Sequence, residues 1–515
     1  MTGLGAVPAA DLSLHVVDHD SRTLPCRVLV RDAMGECHTP VDATLLEIGP
    51  DRWFMSEGRV GLSVPAGRCQ IRIEHGLEFE RFKSTVLVPD AGLEQTITLD
   101  RWINMRELGY LCGENHLHVD THSLGPMAIA EGLDFGSSLT WWNGHDSRRP
   151  VPSGDGPTRR LGFAGREITA SVFDAELEHT WGAAYVQYLP QPFPLPTDPK
   201  RPNLEFLSHA VDHGAIVHYQ AGWSREVILD ALLGLVHTVN VCNNNFHMHR
   251  FQPRSRYSNL LDVDGFPIYP DTDEAMMQMN TDTWYRLLNL GLKLSAGAGS
   301  ATGVKQVPVG FNRTYVRVDP DTSLKEFNEA WKLGRNFVTN GPVILLRGPD
   351  EQRPGDEIEV TAAPQQIEFS LKVLSDQPLQ NIELVQNGEV VKTFAGHHQN
   401  QSEHRVRVHV TESCWIAARC TARDDLLSDR ELQQYDNPPR QRPSNLRFAH
   451  TSPVYVAVNG TPVVVRHSVQ EGLLMLDRLQ DFANEHAAPD FLDDFTRAIR
   501  RAQRMLKDRL KLAAT

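Results

Sequence analysis

The apolar residues of this chain keep one period, lose it and take it up again, and that succession constrains the fold more than any single motif. Over residues 12–99 they alternate in short runs (27–31, 60–64, 70–73, 96–99) broken by Pro65-Ala66-Gly67 and Pro89-Asp90-Ala91-Gly92, the text of an antiparallel β domain. Between 102 and 342 apolar runs at 133–140, 215–219, 238–241 and 292–296 alternate with helical stretches at 226–235 and 281–290, which implies parallel βα units. From 343 the alternation returns, with an Asn387-Gly388 hairpin signal between 382–386 and 390–394. Residues 472–484 and 489–510 then carry apolar side chains at helical spacing. A chain of 515 residues exceeds what one core serves. The expected fold is therefore multidomain α/β plus all-β: an N-terminal β-sandwich at 1–102, an α/β unit at 103–342, a second β-sandwich at 343–466 and amphipathic helices at 467–515.

Charge and composition narrow the function. With 51 Lys and Arg against 65 Asp and Glu the net charge is −14, so nucleic acid is not the expected partner. The most apolar stretch, 227–241, is interrupted by Asp230, His237 and Asn240, and no membrane span is expected. The first residues lack a basic segment followed by an apolar run, so no secretory signal is read there. Seven scattered cysteines with no CxxC pair speak against a disulfide framework or a thiolate zinc site and for a reducing, cytoplasmic setting. A small-molecule substrate is the expected partner, and nothing in the sequence sets an oligomeric state.

The most informative stretch is Gly113-Glu114-Asn115-His116-Leu117-His118. Residues i and i+2 on a strand face the same way, so His116 and His118 at a strand end present two imidazoles to one cation. The same stretch, with the preceding Gly109-Tyr110-Leu111-Cys112, resembles the first metal motif of the PHP-type, amidohydrolase-like metallohydrolases of the CehA/McbA group. Also similar are Gly165-Arg166-Glu167, Glu178-His179, and the runs 308–316 and 334–342. The resemblance covers about residues 105–342. It implies a distorted (β/α)7 barrel with a divalent metal ion, zinc, manganese or iron, at the C-terminal strand ends. It also implies a metal-activated water attacking an ester, carbamate or phosphoester. By this resemblance His116, His118, Glu167 and His179 are the metal ligands, with Glu167 doubling as general base and His179 as proton shuttle.

The sequence departs from that family at three places. Leu139-Thr140-Trp141-Trp142-Asn143 stands where Asp-His is usual, Ala221-Gly222 where a His-Pro ligand is expected, and Gly299 where a late aspartate is expected. Indoles do not bind divalent ions, so a single ion is expected, with His145, His218 and His249 as additional candidate ligands. Trp141, Trp142, Asn143, Trp223, Asn244 and Arg313 are candidate pocket residues, the indoles as a stacking floor and Arg313 as a partner for an anionic group. Cys112 and Cys242 read as small buried residues. A second reading, which the tryptophan and asparagine substitutions favour, is a catalytically inactive barrel acting as a carbohydrate- or protein-binding module.

Overall fold

A computed structural model describes residues 8–142, 154, 156–193, 196, 198–246, 269–270, 272–435 and 444–512. The molecule is mixed α/β, with its strands distributed over several sheets.

The first hundred residues build two of them. Strands Arg59–Pro65, Ala9–Val17 and Leu93–Thr98 form one; Leu45–Ile48, Asp51–Ser56, Cys26–Asp32, Gly67–Glu74 and Phe82–Val88 form the other. Along Ala9–Val17 the residues Ala10, Leu12, Leu14 and Val16 are buried while Ala9, Asp11 and Ser13 are exposed, the period-two pattern of a half-buried strand. They share a core with Val28, Val30, Phe54, Ile71 and Ile73 of the second sheet.

The middle of the chain corrects the expectation of parallel βα units closing a barrel. Phe135–Trp142, Arg166–His179, Gly182–Gln187, Ile216–Ser224, Thr238–Cys242 and Ser295–Ala298 lie side by side in that order, with Thr158–Phe163 paired against Arg166–His179. Only three of these pairings are parallel, those of Phe135–Trp142 with Arg166–His179 and of Thr238–Cys242 with its two neighbours. The others are antiparallel. The cause is local. Ala164 and Gly165, both at positive φ, turn one strand into the next, and only Thr180 and Trp181 separate Arg166–His179 from Gly182–Gln187. Links that short permit antiparallel neighbours and leave no room for a crossover helix.

Among the described residues the strand ladder does not close into a barrel. The gap between its edge strands is spanned instead by residues 114–119. Asn115 N–H donates to Ala298 O (3.2 Å) and His118 N–H to Thr302 O (2.8 Å) on one side, while Leu139 N–H donates to Leu117 O (3.0 Å) on the other. The His-x-His motif is thus held by both edges of the sheet.

The boundary expected at 342 runs through a sheet. Tyr110–Gly113 pairs with Arg313–Arg317, which pairs with Asn336–Thr339, which pairs with Leu446–Thr451. This nine-stranded sheet continues through Cys414–Arg423, Val454–Val458 and Glu357–Val360, with Leu379–Gln386 and Glu389–Ala395 alongside. Val343–Arg347, Gln365–Leu374 and Gln401–Val410 make a further three-stranded sheet packed on the same core. The two closing helices form at Arg466–His486 and Leu492–Leu512, and Leu476, Leu479, Phe495, Ile499 and Leu506 join the core of the central sheet. No helix among the described residues is long and apolar enough to cross a membrane.

Charged groups join the N-terminal sheets to the rest. Arg27 donates to Glu74 and to Glu131 at 2.7 Å each, with all three side chains at most 5% exposed. Arg81 reaches Asp424 (2.9 Å) and Asp376 (3.5 Å), and Lys83 reaches Glu431 (2.6 Å).

A second buried network is acidic. Glu226 accepts the N–H groups of Asn203 and Leu204 at 2.8 Å each, at the start of helix Leu204–Asp212. Asp230 accepts the Tyr219 hydroxyl. Burial pushes the Asp230 carboxyl up, against the pull of the Tyr219 hydrogen bond, and burial together with the charge of Asp230 pushes the Glu226 carboxyl up as well. The folded state therefore holds a proton that the unfolded chain releases near pH 4. The stability from that proton is complete below the unfolded value and is lost as pH rises through the raised folded value. Asp230→Asn should flatten this dependence. Urea unfolding of the parent between pH 5 and 8 is expected to weaken by up to about 1.4 kcal/mol per pH unit relative to the variant, and parallel curves would contradict the assignment.

Candidate metal centre

Three donor atoms converge where residues 114–119 cross the face of strand Arg166–His179. His116 Nε2 lies 3.0 Å from His118 Nε2. Glu176 Oε1 lies 3.6 Å from His116 Nε2, and its Oε2 lies 2.9 Å from His118 Nε2. None of the three residues is more than 4% exposed. Among the described residues this is the group of His, Cys, Asp and Glu close enough together to hold a metal ion. Ligand atoms ~2.0–2.1 Å from a tetrahedral ion sit ~3.3 Å apart, so the observed separations suit one cation.

The electrostatics agree. Burial lowers the His116 pKa, against the pull of Glu176, and so favours the ring form that offers a lone pair to a metal. Burial by itself would raise Glu176, but the two imidazoles overcome it and hold the carboxyl at about 2. Glu176 Oε2 is buried without a hydrogen bond of good geometry. Two facing imidazole nitrogens and a carboxylate cannot all be satisfied by the single proton that fits between them, whereas a divalent cation satisfies all three.

The surrounding residues fix this arrangement. Asn115 and Asn240 exchange side-chain amide bonds of 2.7 and 2.9 Å. Glu114, buried, accepts from Ser300 Oγ (2.6 Å) and Gly310 N (2.7 Å). The Tyr185 ring lies 4.1 Å from the His116 ring, and its hydroxyl donates to Gln220 Oε1 (2.9 Å). Glu178, two residues beyond Glu176 on the same strand, accepts from Trp142 Nε1 at 3.0 Å. Burial, followed by the charge of Glu176, pushes the Glu178 carboxyl up to about 7.

The structure sorts the residues read from the sequence. His116 and His118 come together. Glu167 does not join them: it lies two residues past the Ala164-Gly165 turn, at the exposed end of its strand, and pairs with Arg160 at 3.2 Å. Glu176 takes the carboxylate position instead. His179 ends that strand, but its side chain, like that of Trp223, is outside the described set. Asn143, His145 and His249 also lie outside the described residues. His218 is no ligand, because Thr238 Oγ1 (2.6 Å) and Gln187 Oε1 (2.9 Å) occupy both ring nitrogens. Arg313 is 1% exposed and bonds the backbone carbonyls of Gly310 and Glu131, so it braces loops.

Of the tryptophans, Trp141 packs against the central core. Trp142 does reach the centre, its ring 4.6 Å from that of His118. Asn244 is connected to it through Gln220, whose Nε2 lies 3.4 Å from Asn244 Oδ1. Gly299 leaves no space for a ligand: a Cβ there would lie 2.5 Å from His116 Cβ and 2.7 Å from Asn115 Oδ1. Cys112 and Cys242 are buried free thiols, and burial raises both well above the usual thiol range.

Compared with protein-family models, with curated proteins and with solved structures, the chain has no match.

Proposed function

We propose that this chain is a metal-dependent hydrolase that holds one divalent cation on His116 Nε2, His118 Nε2 and a Glu176 carboxylate oxygen, and acts on an ester, carbamate or phosphoester. The observation that carries the reading is the convergence of those three buried donors at 2.9–3.6 Å. The resemblance of residues 109–118 to the first metal motif of the PHP-type CehA/McbA hydrolases supports it, as does the bridging of the open sheet by that same segment. Two nitrogens and one oxygen suit zinc, manganese or iron.

A divalent cation at this place lowers the pKa of water towards neutrality and polarises the scissile bond. The chain's own residues supply the rest. Asn115, Asn240 and Glu114 hold the two imidazoles in register with Glu176. Tyr185 and Trp142 cover the rings and keep bulk water from the donors, and the Trp142 indole N–H fixes the Glu178 carboxylate two residues from Glu176.

Protein purified without chelator should contain about one equivalent of zinc, manganese or iron. Chelation should abolish hydrolysis of a 4-nitrophenyl ester or phosphoester panel, and readdition should restore it. Metal at a hundred times its Kd should raise the stability of the chelated protein by about 2.7 kcal/mol. A metal-poor protein that none of the three ions stabilises would reject this function and leave the carbohydrate- or protein-binding reading.

A further inference from the structure

The last helix, Leu492–Leu512, buries Phe495, Ile499, Ala502 and Leu506 and turns its basic residues outwards. From 495 to 507 it holds five cations and no carboxylate. Arg497 pairs with Asp494. The other four, Arg500, Arg501, Arg504 and Lys507, are exposed and have no ion pair among the described residues. Spacings of four and three place Arg500, Arg504 and Lys507 along one line of the helix surface. In a chain of net charge −14, that stripe opposes the charge of the whole.

A groove of the opposite sign lies beside it. About 690 Å³ in volume, it runs between helix Asp273–Asn289, the hairpin of Leu379–Gln386 with Glu389–Ala395, and the start of helix Arg466–His486. Its lining carries five carboxylates against two guanidiniums and one imidazole. Both guanidiniums are engaged, Arg286 with Glu471 (3.1 Å) and Arg419 with Glu383 (2.6 Å). Glu274 and Glu389 are exposed and have no ion pair among the described residues. The last helix packs next to one end of this groove. A Cβ on Gly472, adjacent to Glu471, would lie 3.1 Å from Leu506, and Arg509 donates to Leu290 O.

We propose that the chain pairs with a second copy of itself, the 500–507 stripe of each copy lying against the Glu274 and Glu389 groove of the other. Charge complementarity selects this occupant, because one chain carries both an unpaired cationic row and a groove with unpaired carboxylates. Since the two surfaces are neighbours, a two-fold axis between them forms the contact twice and closes the assembly at a dimer. The contact shares no residue with His116, His118 and Glu176 and needs no metal.

Sedimentation of the full chain at about 50 µM tests this. At about 0.1 M salt the Debye length is ~10 Å, so repulsion between the net charges is screened more than pairs in contact, and the dimer should be the main species. At about 1 M salt it should dissociate. Arg500→Gln with Arg504→Gln should weaken the dimer at least about tenfold, the sum of the exposed pairs lost from two equal contacts. Two charge reversals, Arg500→Glu with Arg504→Glu and Glu274→Lys with Glu389→Lys, should each give a monomer, and an equal mixture of the two should give a one-to-one dimer. The glutamine pair reads the contact even where a reversal unfolds the chain. A parent that stays monomeric at about 0.1 M salt overturns the contact, whether its stripe then holds anionic vesicles or its groove a polyamine. So does a dimer that either reversal leaves intact, or a mixture of folded reversed chains that does not combine.

Discussion

Glu176→Gln is expected to weaken zinc binding by at least about a hundredfold, because it removes an anionic ligand from a three-donor site in a dry interior. Glu167→Gln should leave the affinity unchanged. The glutamine at 176 keeps the shape of the side chain and leaves His116 and His118 facing each other, so packing is preserved while charge is lost. Competition against a chromophoric chelator reads both variants directly. The pair discriminates sharply: Glu167 belongs to the surface ion pair with Arg160, whereas Glu176 is 2% exposed and within 2.9 Å of His118 Nε2. Equal losses in the two variants would dismiss the centre described here.

Arg27→Met should destabilise the fold by about 3–5 kcal/mol, the usual cost of stripping the partner from a buried ion pair. Methionine fills most of the volume, so the loss comes from charge. Glu74 and Glu131 would each lose a guanidinium at 2.7 Å, and Trp53 would lose the cation lying 4.3 Å from its ring centre. Arg72, 3.3 Å from Glu74, compensates one carboxylate in part, and the nearby Arg313 charge does the same for Glu131. Urea titration followed by tryptophan fluorescence measures it. A loss below about 1 kcal/mol, the range of exposed pairs, would mean that water reaches these carboxylates.

How much of this was legible depended on whether a feature is local in the chain. Hydrophobic period is local, so the strands of the first hundred residues and the two closing helices could be read from it. So was the shared face of His116 and His118, which two-residue spacing on an extended segment dictates. The carboxylate was read through a short motif, Gly165-Arg166-Glu167, whose glycine in the structure makes a hairpin turn and leaves Glu167 at the surface. The informative signal lay further along the same strand. In 173–178 the acids Asp174, Glu176 and Glu178 alternate with Phe173, Ala175 and Leu177, which puts the acids on one face of a strand; the fold then turns that face inward.

Sheet membership was less legible, since nothing at 110–113 or 336–339 announces a partner a hundred or more residues away. Two of the antiparallel pairings were missed for a different reason. The links at 164–165 and 180–181 are too short for a crossover, a length constraint rather than a periodicity. Arg313 and His218 were misplaced because their residue types suit a site, while their neighbours, a set of backbone carbonyls and a threonine–glutamine pair, are assembled only by the fold.

The charged contacts between the N-terminal sheets and the later chain set a schedule for synthesis. Arg81 waits for Asp424, and Lys83 for Glu431. At about 5–20 residues per second, a ribosome takes on the order of tens of seconds to make the intervening stretch. During that interval the nascent N-terminal sheets present basic side chains with no acidic counterpart yet translated. Until the far end arrives, water solvates those side chains in place of their partners.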